Sequence, residues 1–176
     1  MLGDLPLPPH QLTPEVHLRR AHGFFSLEMF EDVQIELRAV PDKMPWSKQK
    51  RSLLTFLYQE LGEWHMMKSF AKSLRSEFPD EVDWWVSEAY ATRRADSIED
   101  ARGILLDGLV LHGESAIIRY NLACYASLLS SPGECLDFLK EAVRRDEKYK
   151  KIALGDEDLK AVHQALIQMG WGKETD

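Results

Sequence analysis

KQKRSLLTFLYQELGEWHMMKSFAKSLRSEFPDE, residues 48–81, reads as two amphipathic segments divided at Leu61-Gly62 and closed by Pro79, Asp80 and Glu81. Its apolar positions recur at steps of three and four, the spacing that lines one face of a helix. Turn-forming groups of glycine, proline and acids return elsewhere at similar intervals, as PDKMPW at 41–46 and LHGES at 111–115. That recurrence raises the question of a repeat.

Shifting the chain against itself by 34 residues answers it. Val33, Met67, Ala101 and Cys135 fall in one column, Leu37, Ala71, Leu105 and Leu139 in a second, and Leu27, Leu61, Ala95 and Leu129 in a third, with no insertion. A fourth column is small: Ala21, Thr55, Ala89 and Ala123. Phe24, Tyr58, Thr92 and Ala126 stand three residues further on, and Phe30, Trp64, Ile98 and Pro132 six beyond those. At 44% hydrophobic residues, chance supplies about one fully apolar column in such a frame, so three carry weight. Leu61-Gly62, Asp96-Ser97 and the run Ser130 to Gly133 separate the halves of the units, and Ser97-x-x-Asp100 and Ser131-x-x-Glu134 are helix N-cap patterns. Each unit is therefore predicted to be a helix hairpin.

A hairpin unit of this length, with a small residue and an aromatic in its first helix, a small residue four before an apolar one in its second, and a closing proline, resembles the tetratricopeptide repeat. Tyr58, Gly62, Trp64 and Pro79 match in the second unit, Trp85, Ala89, Ala101 and Leu105 in the third, and Leu122, Ala123, Leu139 and Ala142 in the fourth. The first unit offers Ala21, Phe24 and Pro45. Arg20 and Glu88 stand where the family prefers leucine, and Gly113 and Glu147 replace the closing proline. The resemblance implies an all-α, right-handed superhelix of about four hairpins, at 14–47, 48–81, 82–115 and 116–149.

Two segments lie outside these units. Over 1–13, Pro6, Pro8 and Pro9 remove amide donors, so an extended tail with apolar Leu2, Leu5 and Leu7 is expected. Over 150–176, Asp156-Glu157-Asp158 leads into Leu159, Val162, Leu166 and Met169, with Gly170 as a stop, the pattern of a C-terminal capping helix that covers the bare end of a stack.

Charge and motifs narrow the function. A net charge of −7 disfavours nucleic acid and anionic membranes as partners, and the six Lys or Arg against three acids over Lys140 to Lys151 read as a solvated helix end. No stretch approaches the roughly 18 apolar residues of a membrane span, and the first residues lack the pattern of a secretory signal, so a cytoplasmic protein is expected. Two cysteines make no disulfide framework, and without a Cys-x-x-Cys or Cys/His cluster they make no zinc site. His17 and His22 are five apart and share no metal-binding face, and no phosphate loop, His-Glu-x-x-His or Gly-x-Ser-x-Gly occurs. Neither an enzyme nor a cofactor is expected.

Binding remains. In the family the first helices line a concave groove that takes peptides, and the corresponding columns here are Leu18, Ser52, Val86 and Tyr120, then His22, Phe56, Tyr90 and Cys124, then Phe25, Gln59, Arg93 and Ser127. Together with Asn121, these aromatic and polar residues are the candidate groove. Rings with an arginine beside them suit a protein partner offering apolar side chains and a carboxylate or carbonyl. The lysines of the family's clamp for acidic C-terminal peptides are missing. Cys135 is expected to pack as a small hydrophobe, and Cys124 to be the more accessible thiol. A protein-binding scaffold, including a chaperone-like adaptor, is the leading reading, and a homo-oligomer built on the outer or terminal surface is the alternative.

Overall fold

The computed structural model describes residues 12–172, and every regular element within them is helical. Eight helices pair as α1 (Pro14–Ser26) with α2 (Phe30–Arg38), α3 (Trp46–Glu60) with α4 (Trp64–Glu77), α5 (Val82–Ala95) with α6 (Ile98–Leu111), and α7 (Ala116–Leu128) with α8 (Pro132–Arg145). Each pair packs on itself and then on the next, so the hairpins stack as an all-α solenoid. The extended tail expected over 1–13 lies outside the described residues except for Leu12 and Thr13.

The repeat is visible in the turns. After α1, α3 and α7 the same amide returns to the same carbonyl, Met29 N to Phe24 O at 2.9 Å, Glu63 N to Tyr58 O at 2.9 Å and Ser131 N to Ala126 O at 2.8 Å. This closure needs one left-handed residue, which is Glu28 (φ 58°), Gly62 (φ 69°) and Ser130 (φ 60°) in turn. Asp96 holds that place in the third hairpin with φ −126°, and there the Ser97 hydroxyl caps α6 by accepting from Asp100 N at 3.0 Å. Ser131 also sits at an N-cap, but its hydroxyl makes no cap bond and Pro132 opens α8 instead.

Packing follows the columns. Ala21, Thr55, Ala89 and Ala123 are fully buried, as are Val33, Met67, Ala101 and Cys135. The third apolar column is not core: Leu27 is 69% and Leu61 40% exposed. These residues stand at the C-caps of their helices, where the chain has already left the crossing.

Both charged departures from the family pattern are compensated. Arg20 and His17 hold the buried Glu36 at 2.8 and 2.6 Å, and Arg75 pairs with the buried Glu88 while its guanidinium lies 4.5 Å from the Trp85 ring. Lys48 with Glu81 and Lys68 with Asp96, each at 2.5 Å, tie neighbouring hairpins at the surface.

The first hairpin is shortened. α2 has nine residues against fourteen in α4, α6 and α8, because Val40 precedes Pro41 and is driven out of the helical region. A cleft of about 180 Å³ is left against α3, lined by Leu37, Arg38, Lys50, Leu54 and Tyr58 among others.

The turn geometry generates a paired prediction. Ser130→Gly removes left-handed strain and raises stability by about 1 kcal/mol, whereas Asp96→Gly, where φ is negative, lowers it by about 1 kcal/mol through the freer unfolded chain and the loss of the Lys68 pair together. Urea unfolding of both variants checks this; equal effects would refute the turn assignment.

Candidate interaction groove

The first helices of the hairpins form one layer, with α1 against α3 and α5 against α7. Along this layer accessibility falls from the N-terminal to the C-terminal end. His22 is exposed and Phe56 is 43% exposed, while Phe25, Ser52, Gln59, Val86 and Tyr90 are half-buried. Tyr120, Cys124 and Ser127 are buried. Leu18 is buried too, at the other end, as part of the core that α1 and α2 share with α3.

Aromatic rings bridge the hairpins. Phe56 lies tilted on Trp84 of α5 at 6.4 Å, and Tyr90 meets Trp64 of α4 edge-on at 5.8 Å. Arg94 sits 5.3 Å from both Trp64 and Tyr90. Phe25 packs on Phe30 within its own hairpin at 6.0 Å. Each ring thus does some structural packing while the Phe56 edge stays in water.

What buries the fourth hairpin's columns is the chain's own C-terminus. The segment expected as one capping helix is broken into α9 (Lys148–Gly155), a 3-10 turn (Glu157–Val162) and α10 (His163–Gln168). Leu159, Val162 and Leu166 are buried in the core that α7 and α8 help to build, and Gly170, with φ 79°, follows the end of α10. Met169 stays 39% exposed.

The polar side of this contact is an ion-pair latch. Tyr120 stacks on Tyr149 at 4.7 Å and its hydroxyl donates to Asp156 Oδ2 at 2.5 Å. The Arg93 guanidinium grips both oxygens of Asp158, Nη2 to Oδ1 at 2.9 Å. Asp156 Oδ1 accepts from Asp158 N at 2.9 Å, capping the turn, and the Cys124 thiol lies 3.7 Å from Asp156 Oδ2. In the sequence these acids read as helix-start residues and Arg93 as a partner's anchor. The first part of that holds for Asp156, while Arg93 is held within the chain. Asn121 is half-buried and its side-chain amide donates to Ile117 O at 2.9 Å.

Solved structures share this architecture. The crystal structure of MamA protein superposes with a TM-score of 0.68 at 12% identity, over 88% of this chain and 86% of that one. TTC0263, a thermophilic TPR protein in Thermus thermophilus, gives 0.66 at 13%, over 90% and 86%. Pseudomonas aeruginosa pilF gives 0.67 at 14%, over 92% and 78%. This chain has the tetratricopeptide-repeat fold. No family model and no curated protein matches the sequence.

The latch thus ties α5 and α7 to the C-terminal segment, at the C-terminal end of the layer of first helices. Cys124, Asp156 and Asp158 are close enough together to be considered as cation ligands. Their oxygens, however, already take donors from Arg93, Tyr120 and a backbone amide. Burial first, and then the negative charge of Asp156, pushes the Cys124 thiol well above its ordinary value, so it stays protonated. Burial likewise raises Tyr120, with the Asp156 hydrogen bond adding to it. The Asp158 hydrogen bond raises Arg93, which remains charged.

No helix among the described residues is long and apolar enough to cross a membrane.

Cys124 was expected to be the accessible thiol, and the structure corrects this: it is 3% exposed and Cys135 is 0% exposed. Burial pushes Cys135 up to about 11. Since the thiolate is the nucleophile, neither thiol reacts appreciably with a disulfide reagent at pH 8 in the native protein, and both do once it is unfolded. Fast native labelling at either position contradicts this burial.

Arg93→Ala strands the Asp158 carboxylate and costs about 2 kcal/mol. Thermal unfolding followed by circular dichroism reads this directly, and an unchanged midpoint would show the latch to be dispensable.

Proposed function

We propose that this chain is a protein-interaction module that binds a peptide or protein segment on the inner face of its first three hairpins, around His22, Phe25, Phe56, Gln59, Val86 and Tyr90. The units divide as 14–47, 48–81, 82–115 and 116–149, and the ligand lies across the first three. The carrying observation is Phe56, a large apolar ring left 43% in water at the middle of the inner layer, while its equivalent Cys124 is covered by the chain itself. Aromatic side chains of this kind supply contact area and dominate interfaces. Tyr120 and Cys124 take no part, because the C-terminal segment lies on them. Binding rather than catalysis is the role, in the cytoplasm, with a protein rather than a nucleic acid or membrane, and a chaperone-like adaptor is one form it takes.

A second reading has its own observation. Val110 on α6 is 88% exposed and Ile35 on α2 59%, which favours a homo-oligomer joined through the outer layer. Sedimentation of the pure protein separates the two: a monomer at working concentration leaves the groove.

Phe56→Ala costs a partner captured from the native host about 2 kcal/mol, or roughly thirtyfold in affinity. Calorimetry measures it, with melting followed alongside. Full affinity in the folded variant moves the binding site off the inner face.

A further inference from the structure

We propose that Trp64, Tyr90 and Arg94 form an anchor site for a protein segment that presents a single carboxylate beside an apolar side chain. Tyr90 belongs to the inner face proposed above, so this inference rests on that reading and gives its ligand a chemistry.

The cluster is built where the second and third hairpins meet. Trp64 opens α4, Tyr90 lies in the last two turns of α5 with Arg94 four residues beyond it, and α4 packs on α5. The Tyr90 and Trp64 rings meet edge-on at 5.8 Å with an angle of 80° between their planes. The Arg94 guanidinium lies 5.3 Å from the centroid of each ring, and its Nη2 donates to the Tyr90 hydroxyl at 3.2 Å. Both rings are half-buried, whereas Arg94 is exposed.

Arg94 is a cation held in place with no anion. Its neighbour Arg93 is gripped by Asp158, and Asp96, two residues on, is taken by Lys68 at 2.5 Å. Among the described residues no carboxylate comes within ion-pair distance of Arg94. A guanidinium set against rings has given up water over its faces, and the N–H groups along its edge form the fork that a carboxylate takes with two parallel hydrogen bonds. Because two rings and a hydroxyl already hold it, less side-chain freedom is lost when a partner arrives. Trp, Tyr and Arg are also the side chains that most often dominate interfaces.

The surroundings limit the ligand to one acid. Glu60 and Glu63 flank the turn before α4, Glu99 and Asp100 open α6, and all four are exposed. A run of acids is repelled there, while one carboxylate with neutral or basic neighbours is drawn to Arg94. An apolar side chain next to it covers the open parts of the two rings and keeps water from the ion pair. Such a ligand differs from the acidic C-terminal peptides of the family's lysine clamp.

The test selects ligands from a phage-displayed library of random dodecapeptides on the full-length protein and measures the enriched sequences, as synthetic peptides, by fluorescence anisotropy. They are expected to share one Asp or Glu beside an apolar residue. Changing that acid to its amide is expected to weaken binding to wild type at least about tenfold, but binding to the Arg94→Gln protein less than about twofold, because the acid's partner is gone. Arg94→Lys, which keeps the charge without the fork, is expected to fall between. No enriched peptide, a consensus without an acid, or equal losses from the amide in wild type and Arg94→Gln overturns the proposal. So does an Arg94→Gln or Arg94→Lys protein that melts lower yet binds at full affinity, since the cluster is then only a joint between hairpins. Phe56→Ala separates the two readings. Peptides that need Phe56 but not Arg94 leave the groove and remove the anchor, those that need Arg94 but not Phe56 leave the anchor and remove the groove around Phe56, and those that need neither remove both.

Discussion

How closely two helices of a hairpin can cross is set by Ala21, Thr55, Ala89 and Ala123, none of which has any surface in water. A methyl or a short hydroxyl-bearing side chain is all that fits between the backbones, and even the Thr55 hydroxyl is turned back onto Arg51 O at 2.9 Å. Close crossing brings Val33, Met67, Ala101 and Cys135 on the second helices into the same layer of core. It also fixes the spacing of the first helices, and with it the spacing of the residues they present inward. A solenoid of this kind is one contact repeated, so its groove inherits its regularity from its packing.

The ends break that regularity. A stack needs something against its last apolar face, and here the C-terminal segment supplies it with Leu159, Val162 and Leu166. Because α9 stops after eight residues at Gly155, the chain turns back onto α7 instead of continuing as a long outer helix. That turn carries two carboxylates to an inner face that would otherwise hold Arg93 and Tyr120 uncompensated. Apolar burial gives the contact its stability, and the paired charges fix which way the segment lies.

The sequence made the repeat and the hairpin breaks readable because a period depends on neighbours only. Gly62 announced its turn, and Ser97 its cap. Glu28 gave no such sign, and Ser130, although it stood in the break read at Ser130 to Gly133, did not announce its left-handed geometry, since nothing in a glutamate or a serine marks positive φ. Pro41 carried the signal for the short α2, yet the column alignment passed over it. Tyr120 and Cys124 read as groove residues because treating all four units as equivalent ignores the C-terminal segment that covers them, whereas Leu18 belongs to the core that α1 and α2 share with α3. Arg93 meets Asp158 across 65 residues of sequence, a distance no local spacing encodes. Phe56, in the interior of the stack, is where equivalence holds best.

The short α2 has a consequence for motion. In a linear stack each unit is held by itself and by its neighbours, so local opening costs least where a neighbour is missing. Among the described residues the first hairpin packs against one other hairpin, and on the α2 side it meets that hairpin across a cleft. Its core is also separate from the larger one that runs from α5 to the C-terminal segment. Local stability therefore rises along the axis, from an N-terminal hairpin that opens readily to a C-terminal end that is locked. On the proposed reading, a ligand bound at the soft end acts in part as a splint, and slower amide exchange in α1 and α2 is the form in which that ordering is expected.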